Sequence, residues 1–574
     1  MNSAGNSFDL QAGGLKTGNY RKAFLLFLII WFIINLIQAV FTEVMSDEAY
    51  YGLFGKNLDW GYYDHPPMVA LMTRISSMFF NGNLGIRFMT LILQLGTILL
   101  IWNIAGFKNP DRKNVEIFFI IAGSISLFSV YGVITSPDSP LLFFTALFFF
   151  AYKKFIKDPD WRSVLLLGIS MAGLFYSKYQ AVLVAGFVIL SNLKLLKMPG
   201  FWLAGIIAIV ILSPHIYWQI SNGFPSFQYH LVDRSEGFRW KFFLEYLPNQ
   251  MAVFNPFTLG AVIFVIIKYK PRSLIERSYY FQIAGFILFF WLMTFRGHAE
   301  PHWTIAASIP VILILSERCL TDPALLKFAR RFILPSIALL LVIRIVMMTD
   351  IRFVRNLAFG GKEKKYKEIE VLAEDLPVVF TGAFQRPSLY TFFTGKEAIA
   401  ISSIYSRQTQ FDLWQPEKKY QNKPAFICLN QLSNSRIYVS DTIGFGGFIT
   451  DSLQTVNRMK ITYNLKQEHF SSGDSLKLSF SMYNPYETVI DFSHARFPVE
   501  LCAVFLKGKD IRIVQVFPDQ PVINLGAGET IDRTVSIMIP DLPDGKYNFS
   551  LSLNTIFGPA VNSHFTKIIT GKDD

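Results

Sequence analysis

A long series of apolar segments occupies residues 21–348 and constrains this chain more than any other feature. Its first run, residues 23–41, is long enough to cross the roughly 30 Å hydrocarbon core of a bilayer as an α-helix. Only 17% of all residues are charged, whereas soluble domains carry about 25%. The residues after the series have the composition of a globular domain. The chain is therefore predicted to be a polytopic α-helical membrane protein with a water-soluble C-terminal part.

About eleven spans are predicted. They lie near residues 22–43, 84–106, 116–133, 139–152, 163–177, 180–193, 199–219, 251–268, 279–295, 303–316 and 332–348. Lysine and arginine residues concentrate in one alternating set of loops, and loops of that kind stay in the cytoplasm. Because the span count is odd, the C-terminal part is expected on the other face. In a bacterial inner membrane, that face is the periplasm.

Composition shifts along the chain predict four parts. They are a cytoplasmic N-terminus at 1–21, a transmembrane domain at 22–349 with an outward first loop at 44–83, an α/β domain at 350–454, and an immunoglobulin-like β-sandwich at 455–574. Apolar spacing predicts two surface-lying helices in the first loop, at 49–58 and 67–80. Period-two runs such as residues 476–483 predict the sandwich strands.

Two broad classes are disfavoured by the distribution of particular residues. The formal net charge of +12 does not indicate nucleic acid, because the basic residues form short clusters between apolar runs. The three cysteines, Cys319, Cys428 and Cys502, require no disulfide framework and lack metal-ligand spacing.

Polar residues of the kinds used in catalysis fall almost entirely at the predicted outward ends of the spans. They are Asp47 and Glu48, Asp64 and His65, Asp138, Lys178, and His298, Glu300 and His302. Ionisable groups near a membrane interior are costly unless they face a cavity or one another. The sequence therefore predicts that these segments converge on one cavity at the outer leaflet.

Each of these groups has a structural alternative that the sequence leaves open. Asp47 and Glu48 either cap a loop helix or supply a general base that accepts a proton from a hydroxyl. Lys178 is either a snorkelling lysine or a cation that binds the phosphate of a lipid carrier. Asp138 suits the N-terminus of the fourth span, a position compatible with a role at the site.

The histidines also have two interpretations. Asp64-His65-Pro66-Pro67 is either a rigid turn or a device that holds both side chains at the mouth of the cavity. His298 and His302 flank Glu300, a pattern that leaves open a divalent metal without matching a recognised site. No metal is assigned.

With these motifs, the chain resembles the GT-C superfamily of glycosyltransferases. The resemblance is to the branch with protein O-mannosyltransferases, lipid A aminoarabinose transferases and rhizobial lipopolysaccharide glycosyltransferases. It covers roughly residues 20–350. It rests on Asp47-Glu48, Asp64-His65-Pro66-Pro67, Pro137-Asp138-Ser139-Pro140, Ser177-Lys178-Tyr179 and Glu300-Pro301-His302-Trp303.

The resemblance implies an inverting sugar transfer from a polyprenyl-phosphate carrier to lipid A, a cell-surface glycan or a protein hydroxyl. It implies catalytic roles for Asp47 and Glu48, phosphate binding by Lys178, His65 and His302, and site shaping by Asp64, Asp138 and Glu300. Membrane lipid is a further expected partner, and nucleic acid is not. Tyr50 stands where relatives often have arginine, and His65 where aminoarabinose transferases have lysine, so the sugar is unassigned.

Two other functions remain open at this stage. A transporter or flippase of a glycan or lipid would show charges or Gly/Pro breaks in the middle of spans, in related positions of two halves. Here the polar groups lie at span ends on one face, and no halves repeat. A membrane-anchored binding protein that works through its C-terminal sandwich would not require an acid-rich first loop.

Overall fold

The computed structural model describes residues 12–233, 237–349, 351–356, 360–429, 438–440, 445–465, 467–495, 497–508, 511–517 and 524–571. The chain forms two compact units, Met1–Gly361 and Lys362–Asp574. The first unit ends at Gly361, beyond the predicted end of the membrane domain at 349. Each unit has its own hydrophobic core.

All the regular secondary structure described in the first unit is helical. Its α-helices are α1 (Ala12–Phe41), α2 (Ser46–Lys56), α3 (Met68–Phe79), α4 (Gly82–Ala105), α5 (Arg112–Ser124), α6 (Ser126–Val130), α7 (Asp138–Lys157), α8 (Trp161–Ser177), α9 (Val182–Ser191), α10 (Pro199–Ser221), α11 (Pro225–Gln228), α12 (Trp240–Phe254), α13 (Pro256–Lys268), α14 (Leu274–Met293), α15 (Ser308–Thr321), α16 (Pro323–Phe328), α17 (Leu334–Met347) and α18 (Arg352–Asn356). Short 3₁₀ turns cover Tyr179–Ala181, Leu193–Lys197 and Pro301–Ala307.

Several helices begin where the sequence provides a side-chain cap. Asp111 accepts a hydrogen bond from the backbone N–H of Asn114 at the start of α5 (3.0 Å). Asp160 does the same for Ser163 in α8 (2.8 Å). A carboxylate in this position satisfies an N–H that the helix itself cannot pair. These caps help fix where the apolar helices begin.

Five helical segments are long and apolar enough to cross a membrane. They are Tyr20–Phe41, Gly82–Ala105, Asp138–Lys157, Pro199–Ser221 and Pro301–Thr321. The N-terminal unit is thus a multi-pass membrane unit, and the total of eleven spans remains a prediction.

The predicted span at 251–268 contains a sharp bend. Helices α12 and α13 meet there at 100°. Asn255 lies between them with a φ of 68°, and its side chain accepts a hydrogen bond from the N–H of Phe257 (3.0 Å). Pro256 opens the second helix because its missing N–H costs nothing at that position.

The helices that carry the polar motifs pack directly against one another. In the first loop, α2 packs on α3 and α3 on α4, while α7 packs between α4 and α8. The α7–α8 contact is close, because a Cβ atom added at Gly173 would meet the ring of Phe144. Helices α7 and α8 form an antiparallel hairpin, so the start of α7 and the end of α8 lie at the same end of the unit.

The second unit begins with an α/β arrangement. It has α19 (Lys362–Ala373), α20 (Gln385–Thr394) and α21 (Gln410–Trp414), with strands β1 (Val378–Thr381), β2 (Ala398–Ile401), β3 (Ala425–Leu429), β4 (Tyr438–Ser440) and β5 (Phe445–Thr450). The sheet order is β2-β1-β3-β5-β4. Strand β1 is parallel to β2 and β3, whereas β5 is antiparallel to β3 and β4.

The rest of the second unit is β-rich. Its strands are β6 (Lys460–Tyr463), β7 (His469–Phe470), β8 (Ser475–Tyr483), β9 (Ile490–Asp491), β10 (Glu500–Lys507), β11 (Ile511–Val516), β12 (Asn524–Leu525), β13 (Thr530–Met538), β14 (Gly545–Asn554) and β15 (Thr566–Thr570). They form sheets ordered β11-β10-β14-β15-β7 and β13-β8-β6, with the pair β12-β9. The two larger sheets contribute to one hydrophobic core. Its assignment as an immunoglobulin-like sandwich, and the division at 454/455, remain predictions.

Candidate active site

Glu48 anchors the first loop to helix α4 and to the loop before α7. Its carboxylate is completely buried and accepts hydrogen bonds from Arg87 Nε (2.7 Å) and Nη2 (2.5 Å). The backbone N–H groups of Met45 (3.0 Å) and Thr135 (2.9 Å) donate to the same carboxylate. A buried carboxylate is tolerated when an opposite charge and further donors surround it, as here.

Arg87 extends this anchor to the end of α1. Its guanidinium also donates to the carbonyl oxygens of Ala39 (3.1 Å), Thr42 (2.6 Å) and Glu43 (3.2 Å). The ion pair therefore ties together the end of α1, the first turn of α2, helix α4 and the loop before α7.

Asp47 precedes Glu48 in the same helical turn, but it is exposed. One turn further along α2, Tyr51 is buried and its Oη lies 3.3 Å from Nε2 of His65. Burial, together with the charges of Asp47, Asp64 and Asp138, raises the pKa of Tyr51 well above its ordinary value. Carboxylates from three separate segments therefore act on one hydroxyl group.

Asp138 and Lys178 form a second buried ion pair. Lys178 Nζ donates to Asp138 Oδ1 at 2.7 Å, and the two side chains are only 8% and 3% exposed. His302, from the 3₁₀ turn before α15, places Nε2 3.8 Å from Asp138 Oδ2. The hairpin of α7 and α8 brings the first two residues together, and the late turn adds the histidine.

Tyr131 links this pair to the first loop. Its ring packs edge-on against His302, with centroids 6.0 Å apart. Its hydroxyl interacts electrostatically with Asp138, Asp47 and Glu300. The structure thus brings Asp47, Asp64, Asp138, Lys178 and His302 into one neighbourhood, where the sequence predicted a shared cavity.

A separate network holds the turn that carries Asp64 and His65. The backbone N–H of Tyr62 donates to the carbonyl of His65 (3.1 Å). His230 Nε2 lies 3.1 Å from the carbonyl oxygen of Asp64. Ser226 Oγ donates to the carbonyl of Tyr62 (3.0 Å) and accepts from the hydroxyl of Tyr179 (2.9 Å). The turn is therefore fixed by the segment after α10 and by the residue that follows Lys178.

The end of α10 reinforces the same turn. His215 Nδ1 lies 2.6 Å from the carbonyl oxygen of Trp60, and Trp218 Nε1 donates to Asp59 (2.8 Å). The sequence analysis missed the supporting residues Arg87, Tyr131, Tyr179, His215 and His230. Arg87 could have been found as a charge inside an apolar span.

A cavity of about 240 Å³ adjoins this region. Its polar lining includes Tyr179, Gln180, His230 and His298, and its apolar lining includes Leu183, Phe289, Phe290 and Met293. Lys178 directly precedes the first two of these residues in the chain. The cavity combines a polar rim with hydrocarbon walls, which is what a lipid with a polar head group requires.

Glu300 and His298 lie at the edge of this arrangement. His298 Nδ1 is 3.7 Å from Glu300 Oε1, and the ring of His298 packs edge-on against Phe242. Among the residues that the structure describes, no group of three His, Cys, Asp or Glu side chains is placed to hold a metal ion. The divalent metal that the sequence left open therefore gains no ligand set here.

Comparisons with known proteins identify sequence relatives of this chain. The family model for dolichyl-phosphate-mannose-protein mannosyltransferase matches residues 64–218. Lipid A galacturonosyltransferase RgtD of Rhizobium johnstonii is 25% identical over 236 residues, 39% of this chain and 49% of RgtD. Lipopolysaccharide core galacturonosyltransferase RgtA of the same organism is 26% identical over 208 residues, 34% of this chain and 42% of RgtA. The match thus covers less than two thirds of either relative.

Solved structures extend the similarity to the fold. ArnT from Cupriavidus metallidurans, in the apo state and bound to undecaprenyl phosphate, superposes with a TM-score of 0.53 at 14% identity. The superposition covers 74% of this chain and 97% of ArnT. This chain therefore shares the fold of ArnT, and the family model and the two relatives confirm the predicted resemblance to GT-C glycosyltransferases.

Proposed function

We propose that this chain is a glycosyltransferase that moves a sugar from a polyprenyl-phosphate carrier to an acceptor at the outward face of a bacterial inner membrane. The observation that carries the proposal is the meeting of Asp47, Asp138, Lys178 and His302 beside a cavity with apolar walls. The names of the matched relatives support it, since both are galacturonosyltransferases and ArnT is known with undecaprenyl phosphate bound.

Lys178 and His302 bind the phosphate of the carrier in this proposal. Asp138 contacts both residues through its two oxygens, so it positions the lysine ammonium and the histidine ring. A cation held in a buried position binds an anionic phosphate more strongly than one in water, because little solvent competes with it. The phosphate is the leaving group, and these charges stabilise it as the bond to the sugar breaks.

Asp47 is the general base. Its exposed carboxylate takes the proton from the acceptor hydroxyl while the acceptor oxygen bonds to the anomeric carbon. The bond between that carbon and the phosphate oxygen breaks, and the electron pair leaves with the carrier phosphate. Attack from the side opposite the leaving group inverts the anomeric configuration.

We propose a structural role for Glu48 in place of the catalytic one that the resemblance implied. Because both of its oxygens accept hydrogen bonds from Arg87 and it has no exposure, we assign it as a positioning residue that fixes the turn carrying Asp47. Asp64, His65 and Glu300 shape the site, and the predicted contact of His65 with the phosphate remains a prediction. The His65 ring contacts Tyr51, so it can also orient that hydroxyl.

The acceptor is lipid A, another cell-surface glycan or a protein hydroxyl. The functions for which RgtD and RgtA are named favour a lipid A or lipopolysaccharide acceptor, and they make an acidic sugar the first donor to try. The outward, periplasmic placement of the site follows from the loop charges and is part of the proposal.

Asp47→Asn tests the proposal directly. It removes a negative charge with little change of shape, and loss of a general base lowers the rate about 10²- to 10⁴-fold. We expect a specific glycan to disappear from the membrane profile while protein levels stay normal. Purified variant protein should also fail to transfer label from a polyprenyl-phosphate sugar.

Asp158→Asn is the matched control. It makes the same chemical change on an exposed residue at the opposite end of α7, and we expect a normal profile. If Asp47→Asn leaves the profile unchanged in a strain where deletion of the whole protein alters it, Asp47 is not the base.

A further inference from the structure

A second groove in the membrane unit lies between α1, α5 and α17. It has a volume of about 310 Å³. Its lining includes four residues from each of these helices, spaced along one face of the helix: Phe27, Ile30, Trp31 and Ile34; Glu116, Phe119, Ile120 and Gly123; and Leu334, Ile337, Leu341 and Arg344. None of these residues belongs to the site described above.

Arg344 forms the polar end of the groove. It is only 6% exposed, and its guanidinium donates to Asn35 Oδ1 (2.5 Å), Ser129 Oγ (3.0 Å) and the side-chain oxygen of Gln38. All three acceptors are neutral. Within the described parts of the chain, no carboxylate forms an ion pair with this arginine. A buried cation without an anion is costly in a membrane protein, so its charge indicates an anionic ligand.

Trp31 provides an independent indication of a ligand. Its indole Nε1 is buried and finds no acceptor among the described residues. Trp31 lies one helical turn, about 5.4 Å, before Asn35, which contacts Arg344. Buried N–H donors are normally paired. A ligand bound to Arg344 could therefore supply the missing acceptor for Trp31 about one helical turn away.

The opposite end of the groove carries no net charge. Glu116 there is paired with Arg330, with Arg330 Nη2 3.2 Å from Glu116 Oε1. Leu334 and Arg344 are ten positions apart on α17, which corresponds to about 15 Å of helix, half of the roughly 30 Å hydrocarbon core. The groove is therefore about one leaflet long, with a cation at one end only.

The groove faces the hydrocarbon of the membrane. Helix α1 is mostly unburied along its candidate span, with 17% of that window buried, and Ile30 is 44% exposed. An apolar chain can therefore enter sideways from the bilayer. A free phosphate ion could not occupy the apolar walls without a large desolvation cost.

We propose that this groove binds an anionic glycerophospholipid. One acyl chain lies along the faces of α1, α5 and α17, the phosphate accepts hydrogen bonds from Arg344, and an ester carbonyl accepts from Trp31. The occupant is a resident lipid of the bilayer, and its binding does not depend on the glycosyltransferase activity proposed above.

Native mass spectrometry of the purified full-length protein tests this directly. The protein is equilibrated with equal amounts of phosphatidylglycerol and phosphatidylcholine of the same chain length. We expect the wild type to retain phosphatidylglycerol preferentially. Arg344→Gln keeps a hydrogen-bonding side chain but removes the charge, and it should reduce that preference about ten-fold, as expected for loss of one charge-assisted hydrogen bond. Arg344→Lys should retain most of it.

Gly123→Leu tests the groove without altering the arginine. A Cβ atom at Gly123 would lie 3.5 Å from Ile337 and Trp31, so a small side chain fits and a larger one fills the lipid path. We expect the bound phosphatidylglycerol to fall about ten-fold. Gly205→Leu on α10 is the control, because a Cβ atom there meets nothing within 4 Å, and it should bind lipid like the wild type.

Two results would overturn the proposal. One is a wild type that shows no preference for the anionic lipid. The other is a folded Gly123→Leu protein that retains as much phosphatidylglycerol as Gly205→Leu. If Arg344→Gln does not fold, the Gly123→Leu comparison alone decides, because that variant keeps every partner of Arg344.

Discussion

Replacing Arg87 by methionine should destabilise the membrane unit more than any exposed charge change. Arg87→Met keeps an unbranched side chain of similar length but removes both hydrogen bonds to Glu48. It also removes the donors to the carbonyls of Ala39, Thr42 and Glu43. Glu48 would remain buried with only two backbone N–H donors. Breaking a buried ion pair by removing one partner lowers the free energy of unfolding by about 3–5 kcal/mol.

The assay is thermal unfolding of purified protein in one detergent, followed by intrinsic fluorescence. Arg272→Met is the matched control, because it makes the same substitution in an exposed pair with Glu317 (3.2 Å). Exposed pairs contribute about 0–1 kcal/mol. We expect the midpoint of Arg87→Met to fall well below that of Arg272→Met, which should stay close to the wild type.

A double variant distinguishes two causes of the instability of Arg87→Met: the unpaired charge of Glu48 and the loss of the contacts that Arg87 makes. Arg87→Met with Glu48→Met removes both charges, and replacing a buried pair by apolar residues is often neutral. We therefore expect the double variant to be more stable than Arg87→Met alone. If the double variant is less stable than either single variant, the cost does not come from an unpaired carboxylate, and our account of the anchor is wrong.

Three further predictions concern the site, the helix packing and the second unit. Lys178→Gln should raise the KM for a polyprenyl-phosphate donor about 10- to 150-fold, the effect of losing a hydrogen bond to a charged group, and Lys178→Arg should recover part of it in steady-state assays. Gly173→Ala should lower the free energy of unfolding by about 1–3 kcal/mol, because the new Cβ atom meets the ring of Phe144. Gly205→Ala should raise it by about 0.5–1 kcal/mol, because its Cβ atom meets nothing and alanine favours the helix. Thermal unfolding midpoints check both values. Burial raises the pKa of the Cys428 thiol to about 12, so at pH 8 only about one molecule in ten thousand is a thiolate. Iodoacetamide should then label this thiol after denaturation but not in the native protein, and rapid native labelling would contradict its burial.

Local patterns predicted the elements whose formation depends on local sequence. The first-loop helices expected at 49–58 and 67–80 occur at Ser46–Lys56 and Met68–Phe79. The period-two run at 476–483 is strand β8, Ser475–Tyr483. Amphipathic spacing and alternation are properties of neighbouring residues, so a single sequence displays them. The bend at Asn255 escaped prediction because an apolar run continues through it and hydropathy does not register a φ of 68°.

The roles of adjacent acids could not be separated by sequence. Asp47 and Glu48 are chemically similar neighbours, and the difference between them comes from Arg87 on α4, far away in the chain. The same holds for Tyr131, which belongs to the site only because the turn before α7 packs near His302. The loop charges predict that these segments share one face of the membrane, but only tertiary packing determines which side chains meet.

The two buried ion pairs of the site differ in whether a substrate can reach them, and this difference divides their functions. Glu48 and Arg87 have no exposure at all, so no ligand touches them unless helices α1, α2 and α4 separate. The Asp138–Lys178 pair lies beside His302, whose side chain is 30% exposed. The exposed Asp47 acts electrostatically on the hydroxyl groups of Tyr51 and Tyr131, as Asp138 does. An enzyme that holds a charged carrier phosphate needs a rigid frame and an accessible cation together. In the proposed mechanism, the Glu48–Arg87 pair supplies the frame, and Lys178, held by Asp138 beside the partly exposed His302, supplies the charge. We therefore expect substitutions in the first pair to act mainly on folding and substitutions in the second mainly on donor binding.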